Sequence, residues 1–149
     1  MTESAGATDR SEAGSRIVVG VDGSEASNAA LKWALSEAQL RHSSIVLVHG
    51  WLNSSVGLDP TGYAIAAFEQ AGESVLAEAV ATAHAQAPDL DITSTLSPST
   101  AAQAIIDLSE GADLVVVGSR GHGGFAGLLL GSVGTAVVHH AHCAVVIVR

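Results

Sequence analysis

The amino-acid sequence predicts a doubly wound α/β fold, in which a five-stranded, mainly parallel sheet carries helices on both faces. Two observations support this fold class. Short apolar runs alternate along the chain with longer amphipathic stretches, an order that favours parallel strands joined by crossover helices. Most of the short runs are aliphatic without interruption, as is typical of strands buried on both faces. In such sheets, ligands bind at the carboxyl ends of the strands, where the winding reverses.

The five strand patterns are of two kinds. Four are continuous apolar runs, whereas the third alternates between apolar and polar residues and therefore predicts an edge strand with one wetter face. In chain order, the predicted strands are Arg16–Val21, Ile45–His49, Asp91–Leu96, Leu114–Gly118 and Ala144–Val148.

The amphipathic stretches between the strands predict four helices, with apolar residues at three- and four-residue spacing on their inner faces. The first follows a cap at Ser24 or Ser27, and the others are Tyr63–Ala87, a stretch opened by Pro98 and Ser99 and closed by Gly111, and Ser132–His140. The expected inner faces are Ala30, Leu31, Ala34, Leu35 and Ala38 in the first helix, and Ala64, Phe68, Ala71, Val75, Ala79 and Ala83 in the second.

The predicted domain organisation is simple. Residues 1–15 are rich in Ser, Ala, Gly and Thr and contain no apolar segment, so we expect a disordered tail rather than a secretory signal. Residues 16–149 are expected to form one domain. The longest expected loop, Trp51–Gly62, follows the second strand and is either a lid or a simple connector.

Charge and composition argue against several classes of function. Fifteen Asp and Glu residues against six Lys and Arg give a net charge of −9, which disfavours binding to nucleic acid or acidic membranes. Lys32 is the only lysine in the sequence, which argues against any phosphate site that needs a loop lysine. The aliphatic runs are far shorter than the ~20 residues of a membrane-spanning helix. A single cysteine, Cys143, excludes an internal disulfide and favours the cytoplasm.

A glycine-rich segment, Leu114–Val133, is the most informative part of the chain. A buried strand leads into a loop that ends at a helix start, where Ser132 is the expected N-cap. Glycines allow positive φ and let backbone amides approach an anion, and the positive end of the helix dipole favours phosphate there. The segment lacks the lysine of a Walker loop, and the first strand lacks the dinucleotide-binding glycine pattern. We therefore predict a phosphate site built from backbone amides.

The spacing of this segment is Gly118, two residues, Gly121, nine residues, Gly131 and Ser132. It resembles the signature of the ATP-binding branch of the universal stress protein family. The resemblance covers nearly all of Arg16–Arg149, including the opening IVVGVDGSEASNAALKWA and the closing VVHHAHCAVVIVR. The chain departs from the family pattern at Ala144, where many relatives carry proline, and at LSPST, where a glycine often follows the third strand.

The resemblance implies strand order 3-2-1-4-5, bound ATP with Mg²⁺, and a homodimer formed through Ala144 to Val148. It also implies three groups of nucleotide contacts. The turn after the first strand holds adenine and ribose, the end of the second strand touches adenine, and the glycine segment binds ribose and phosphate. By position, these residues are Gly20, Val21 and Asp22; Gly50; and Val117, Gly118, Gly121, Gly131, Ser132 and Val133, with Arg120 as a further phosphate contact.

The expected function is that of a stress-response module whose ATP state regulates an unidentified protein partner. The alternatives are a weak ATPase or phosphotransferase, for which the sequence offers no evident catalytic base, and a dimerising scaffold with little nucleotide affinity.

Several residues have a structural interpretation beside the functional one. Asp22 either contacts ligand or caps the following helix. His49 is expected to be a hydrogen-bonded core histidine. Structural or surface roles are expected for His139, His140, His142 and Cys143, because their spacing does not form a metal-ligand pair.

Overall fold

The structure is a computed structural model that describes residues 14–53, 60–122 and 129–149. Most of the predicted tail and the middle of the predicted Trp51–Gly62 loop lie outside these residues. The described part contains five strands and four helices in alternating order. They are β1 (Arg16–Gly20), α1 (Glu25–Arg41), β2 (Ser44–Gly50), α2 (Tyr63–Gln86), β3 (Ile92–Ser97), α3 (Ala101–Ser109), β4 (Leu114–Gly118), α4 (Ser132–His140) and β5 (Ala144–Val148).

The five strands form one parallel sheet in the order β3-β2-β1-β4-β5. This confirms the predicted fold class and strand order. β1 lies at the centre, where Val18 pairs with Val46 of β2 and with Val115 of β4. Because the chain first builds the sheet outward to β3 and then returns to the other side of β1, the winding reverses between β1 and β4.

Each face of the sheet has its own hydrophobic core. On one face, Ile17 and Val19 of β1 pack in a cluster that includes Leu31 of α1 and Leu76 of α2. On the other face, Val18 packs in a cluster that includes Ile105 of α3 and Val137 of α4. The unbroken aliphatic runs of β1 and β4 are therefore explained, since alternate side chains enter opposite cores and all are buried.

The two edge strands differ in how well the sequence predicts them. β3 is an edge strand, as its alternating pattern predicts. The prediction that Ala144–Val148 is buried on both faces is wrong for the single chain. Ala144 is exposed and the next four residues are only half-buried, because within the described residues β5 pairs with β4 alone.

The start of α1 confirms one of its two predicted caps, whereas the start of α3 departs from prediction. Ser24, not Ser27, caps α1, and its side chain accepts a hydrogen bond from the Ser27 backbone amide. α3 begins at Ala101 rather than at Pro98 or Ser99, because the Thr100 side chain caps it by accepting from the Gln103 amide.

The inner face of α1 is confirmed, and that of α2 is confirmed in part, since Ala79 and Ala83 are buried as predicted. Ala71 is exposed, and the neighbouring Gly72 and Leu76 are buried instead. A Cβ atom on Gly72 would lie 2.9 Å from Cδ2 of His49, so this position lets α2 approach β2 closely. None of the helices in the described part of the chain is sufficiently long and apolar to cross a bilayer.

Candidate functional site

A cavity of about 150 Å³ opens between the carboxyl ends of β1 and β4, at the point where the winding reverses. This is where a doubly wound sheet places its ligand. All the predicted site residues line it, although they come from three separate parts of the chain. They are Gly20, Val21, Asp22, Gly50, Val117, Gly118, Arg120, Gly121, Gly131, Ser132 and Val133.

The turn after β1 holds Asp22 in a fixed position. Its backbone amide donates to Ser27 Oγ at 3.1 Å, and its Oδ1 accepts from the Ser24 amide at 2.9 Å. Asp22 is therefore not the cap of α1, and the capping interpretation is wrong because Ser24 fills that place. One carboxylate oxygen stabilises the turn, while the other, Oδ2, lies beside Gly121 across the cavity mouth.

Glycine is required at two positions of the loop after β4, because other parts of the chain approach them closely. A Cβ atom on Gly118 would lie 2.7 Å from the carbonyl carbon of Ala26, and one on Gly121 would lie 2.6 Å from Oδ2 of Asp22. Gly118, Gly121 and Gly131 do not adopt the positive φ that glycine allows. Glycine at the first two positions instead lets the loop pack directly against the start of α1 and its preceding turn.

A third glycine shapes the opposite wall. A Cβ atom on Gly50, at the end of β2, would lie 2.6 Å from the Thr100 carbonyl oxygen. The segment that leads into α3 therefore packs against the end of β2. This contact brings Ala101 and Ile105 of α3 to the cavity, where they join Val48 and Val117 as apolar walls.

Among the residues that the structure describes, no side chain caps the start of α4. The structure places Gly131 at the N-cap and Ser132 as the first helical residue, so the prediction that Ser132 is the cap is wrong. The reason is that the Gly131 carbonyl accepts the first helical hydrogen bond, from the Thr135 amide at 3.0 Å. Gly131 itself donates its amide to the Ser119 carbonyl at 2.8 Å.

This uncapped start faces the cavity. Ser132, Val133 and Gly134, the first three residues of α4, all line it. The amides of a first helical turn have no intrahelical acceptor, and the helix dipole adds positive potential at the same end. Chemically, the arrangement offers backbone donors to an anion.

Few ionisable side chains border the cavity within the described residues: Asp22, Arg120 and His122. Arg120 is exposed at the rim. The site therefore combines one carboxylate, one guanidinium, several backbone amides and an apolar wall. This combination suits a ligand with an apolar ring and an anionic end.

The sequence analysis missed part of the lining. Ala101 and Ile105 belong to α3, and the apolar spacing of that helix did not indicate that they reach the cavity. His122 directly follows Gly121, and this position was the available signal for it. The additional lining residues are Ser27, Val48, Ala101, Ile105, Ser119, His122 and Gly134.

The other candidate residues lie in different surroundings. His139 and His140 are exposed, with ring centroids 6.4 Å apart. Burial raises the pKa of the Cys143 thiol, and the Asp113 carboxylate raises it further. The described residues contain no group of three or more His, Cys, Asp or Glu placed to bind a metal. His49 is half-buried, and its Nδ1 bonds to the Val21 carbonyl at 2.7 Å, as expected of a core histidine.

Comparison with known proteins gives the same assignment over nearly the whole chain. The model of the universal stress protein family matches residues 15–149. A universal stress protein of Mycobacterium tuberculosis is 41% identical over 133 residues, which are 89% of this chain and 44% of that protein. The chain thus spans about half the length of the curated relatives it matches.

Solved structures agree with the fold. The universal stress protein UspA from Lactobacillus plantarum superposes with a TM-score of 0.73 at 23% identity, covering 91% of this chain and 97% of that one. A universal stress protein in complex with cAMP superposes with a TM-score of 0.70 at 29% identity, with the same two coverages of 91% and 97%. The chain belongs to the universal stress protein family.

Proposed function

We propose that this protein binds ATP with Mg²⁺ in the cavity between β1 and β4, and that its nucleotide state regulates a stress response in the cytoplasm through a protein partner. One observation carries the nucleotide part of this proposal. The cavity lies at the winding reversal and is bordered by a helix whose first-turn amides have no side-chain cap.

The apolar part of the cavity suits adenine and ribose. Val48, Ile105 and Val117 provide a dry surface for a flat ring, and Gly50 lets the chain pack closely enough to form that wall. Gly20 and Val21 border the same region, and the Asp22 carboxylate would either accept from ribose hydroxyls or help to hold a phosphate-bound metal ion.

The polar part of the cavity suits a chain of phosphates. The loop from Gly118 to Gly121 and the start of α4 offer backbone amides, and Arg120 stands at the rim as a cation. Mg²⁺ prefers oxygen ligands and is commonly held by one or two carboxylates together with phosphates. Asp22 Oδ2 and the Ser132 hydroxyl are the oxygens of this chain that would hold the ion, which would neutralise phosphate charge.

A second candidate ligand is adenosine monophosphate, either AMP or its cyclic form, cAMP. The observation in its favour is the complex with cAMP formed by a family member that is 29% identical to this chain. A single phosphate would use the start of α4 without Mg²⁺.

Titration calorimetry on the purified protein tests these alternatives. Separate titrations use ATP with and without Mg²⁺, AMP, cAMP, and GTP as a control for the base. We expect ATP to bind more tightly with Mg²⁺ than without it, and more tightly than AMP, cAMP or GTP. No heat of binding at millimolar ATP would overturn the proposal, and tighter binding of AMP or cAMP would favour the second candidate.

We also propose that the protein forms a homodimer through β5. The strand exposes Ala144 and half-exposes its aliphatic neighbours, and no described strand of the same chain pairs with its outer edge. Such an edge is a ready pairing surface for a second strand.

Sedimentation of two matched variants tests the dimer. Val146→Asp places a charge on β5 and should give a monomer, whereas Thr93→Asp places the same charge on the opposite edge strand and should leave the dimer intact. If Val146→Asp does not fold, Ala144→Asp repeats the test at an exposed position. A folded β5 variant that still forms the wild-type dimer would contradict this interface.

A further inference from the structure

Two histidines hold the turn after β1 from opposite sides. Nδ1 of His49 lies 2.7 Å from the Val21 carbonyl oxygen, and Nε2 of His122 lies 2.7 Å from the Asp22 carbonyl oxygen. The two carbonyls are consecutive along the chain. His49 belongs to β2, and His122 lies in the loop that follows β4. The two rings therefore come from the two sides of β1.

The chemistry of these contacts fixes which ring nitrogen carries a proton. A carbonyl oxygen only accepts, so each contacting nitrogen must donate its N–H. His49 is therefore protonated at Nδ1 and His122 at Nε2. Both nitrogens also carry protons in the charged imidazolium, so the two hydrogen bonds persist in either charge state.

Among the described residues, backbone pairing between β1 and β2 ends at this turn. The Val21 amide donates to the Val48 carbonyl at 2.9 Å, which is the last backbone bond between β1 and β2 before the cavity. Beyond it, Gly23 has a φ of +79°, and the backbone turns toward α1. The histidine contacts thus fall where regular strand pairing ends and the cavity lining begins.

His122 also joins two walls of the cavity. Asp22 lies on the wall formed by the turn after β1, and Arg120, Gly121 and His122 lie on the wall formed by the loop after β4. The His122–Asp22 bond spans the mouth beside the point where Gly121 contacts Asp22. Breaking it would free the loop to move away from the turn.

We propose that His122 and His49 are positioning residues of the nucleotide cavity. His122 bonds the loop after β4 to the turn that carries Asp22, and His49 holds the same turn against β2. This inference rests on the proposed nucleotide function. Neither ring needs to touch the ligand, because each acts through a carbonyl of the turn. The bond between His122 and the Asp22 carbonyl slows dissociation of the ligand, so loss of this bond chiefly raises the dissociation rate.

Amide side chains provide a matched test, since the side-chain nitrogen of Asn lies near the place of Nδ1 and that of Gln near the place of Nε2. His122→Ala should weaken Mg²⁺–ATP binding about fivefold, the effect of one lost hydrogen bond, mostly through faster dissociation. His122→Gln should restore affinity to within about twofold, and His122→Asn should not. At His49 the order is reversed, with Asn restoring affinity and Gln failing to do so.

Two further measurements separate positioning from general stability. Thermal unfolding of the His122 variants should stay near that of the wild type, because the ring is exposed and outside both cores. Nitrogen NMR of the nucleotide-free protein should show the neutral His49 ring protonated at Nδ1 and the neutral His122 ring at Nε2.

The outcomes distinguish this inference from the function on which it rests. If the wild type does not bind ATP, the proposed function fails and the positioning role fails with it. If the wild type binds but His122→Ala has the same affinity and dissociation rate, only the positioning role is overturned. The opposite ring tautomers, or equal rescue by both amides, would also overturn it.

Discussion

The helices α1 and α4 begin in equivalent places but differ in whether a side chain accepts from a first-turn amide. Each follows one of the two strands that flank the winding reversal, and residues near both starts line the same cavity. At α1, Ser24 supplies a side-chain oxygen that accepts from the Ser27 amide. At α4, the N-cap is Gly131, which has no side chain to offer.

This difference indicates where an anion can bind. At the start of α1, the Ser24 amide donates to Asp22 Oδ1 and the Ser27 amide donates to Ser24 Oγ, so two of its donors are bonded within the protein. The start of α4 leaves its donors to a ligand. A chain with one lysine and a net charge of −9 can therefore offer a phosphate site, because backbone amides supply what cationic side chains do not.

The largest effect should come from giving α4 the kind of cap that α1 has. Gly131→Asp places a carboxylate at the N-cap, where it accepts from the first-turn amides and repels phosphate. We expect ATP affinity to fall at least about 100-fold, because the donors are occupied and a like charge is added. The free energy of unfolding should rise by a few tenths of a kcal/mol, since Asp is a better N-cap than glycine.

Gly131→Ala is the matched control for this change. A Cβ atom there would lie 3.6 Å from the Ser119 carbonyl oxygen, an ordinary contact, so the fold accommodates it. Calorimetry and thermal unfolding measure the two effects. Gly131→Asp with wild-type affinity would refute the equivalence between an anion and a cap at α4.

A smaller effect is expected from Asp22→Asn, which tests the other wall. The amide oxygen still accepts from the Ser24 amide, so the turn is kept, but the negative charge beside Gly121 is lost. Binding of Mg²⁺–ATP should weaken about tenfold, as for loss of a charged hydrogen-bond partner. Titration calorimetry gives the sign directly. If the carboxylate only repels phosphate, affinity will increase, and the proposed contact with ribose or Mg²⁺ will be wrong.

The smallest effect on binding should come from removing the cap of α1. Ser24→Ala leaves the Ser27 amide without its acceptor and should lower the free energy of unfolding by about 1 kcal/mol. Affinity for ATP should change less than about twofold, because the α4 donors are untouched. Chemical denaturation and calorimetry on the same sample check both. A large loss of affinity would show that the two helix starts are not independent.

The sequence predicted the fold because the central strands are apolar on both faces. Ile17, Val18 and Val19 leave no polar position for solvent, and this pattern, together with the alternation of strands and helices, indicates a parallel sheet covered on both sides. β5 carries the same pattern and is nevertheless half-exposed. Such a pattern shows that both faces of a strand are apolar, but it does not specify which surface covers them.

The sequence predicted the site residues better than their roles. The glycine spacing identified Gly118 and Gly121, but their small size serves close contact with Ala26 and Asp22 rather than positive φ. Ile105 reaches the cavity through long-range packing, which no local pattern encodes, whereas the position of His122 next to Gly121 was the one local signal for that residue. The cap at Gly131 was missed because serine is the commoner N-cap and stands next to it.

Amide hydrogen exchange with and without Mg²⁺–ATP tests the central claim most directly. The account predicts that ATP slows exchange at the amides of Ser132, Val133 and Gly134 by at least about tenfold, as bound phosphate becomes their acceptor. Exchange at the Ser27 amide, already bonded to Ser24, should change little. Unchanged exchange at the start of α4 in the ATP-saturated protein would contradict the account.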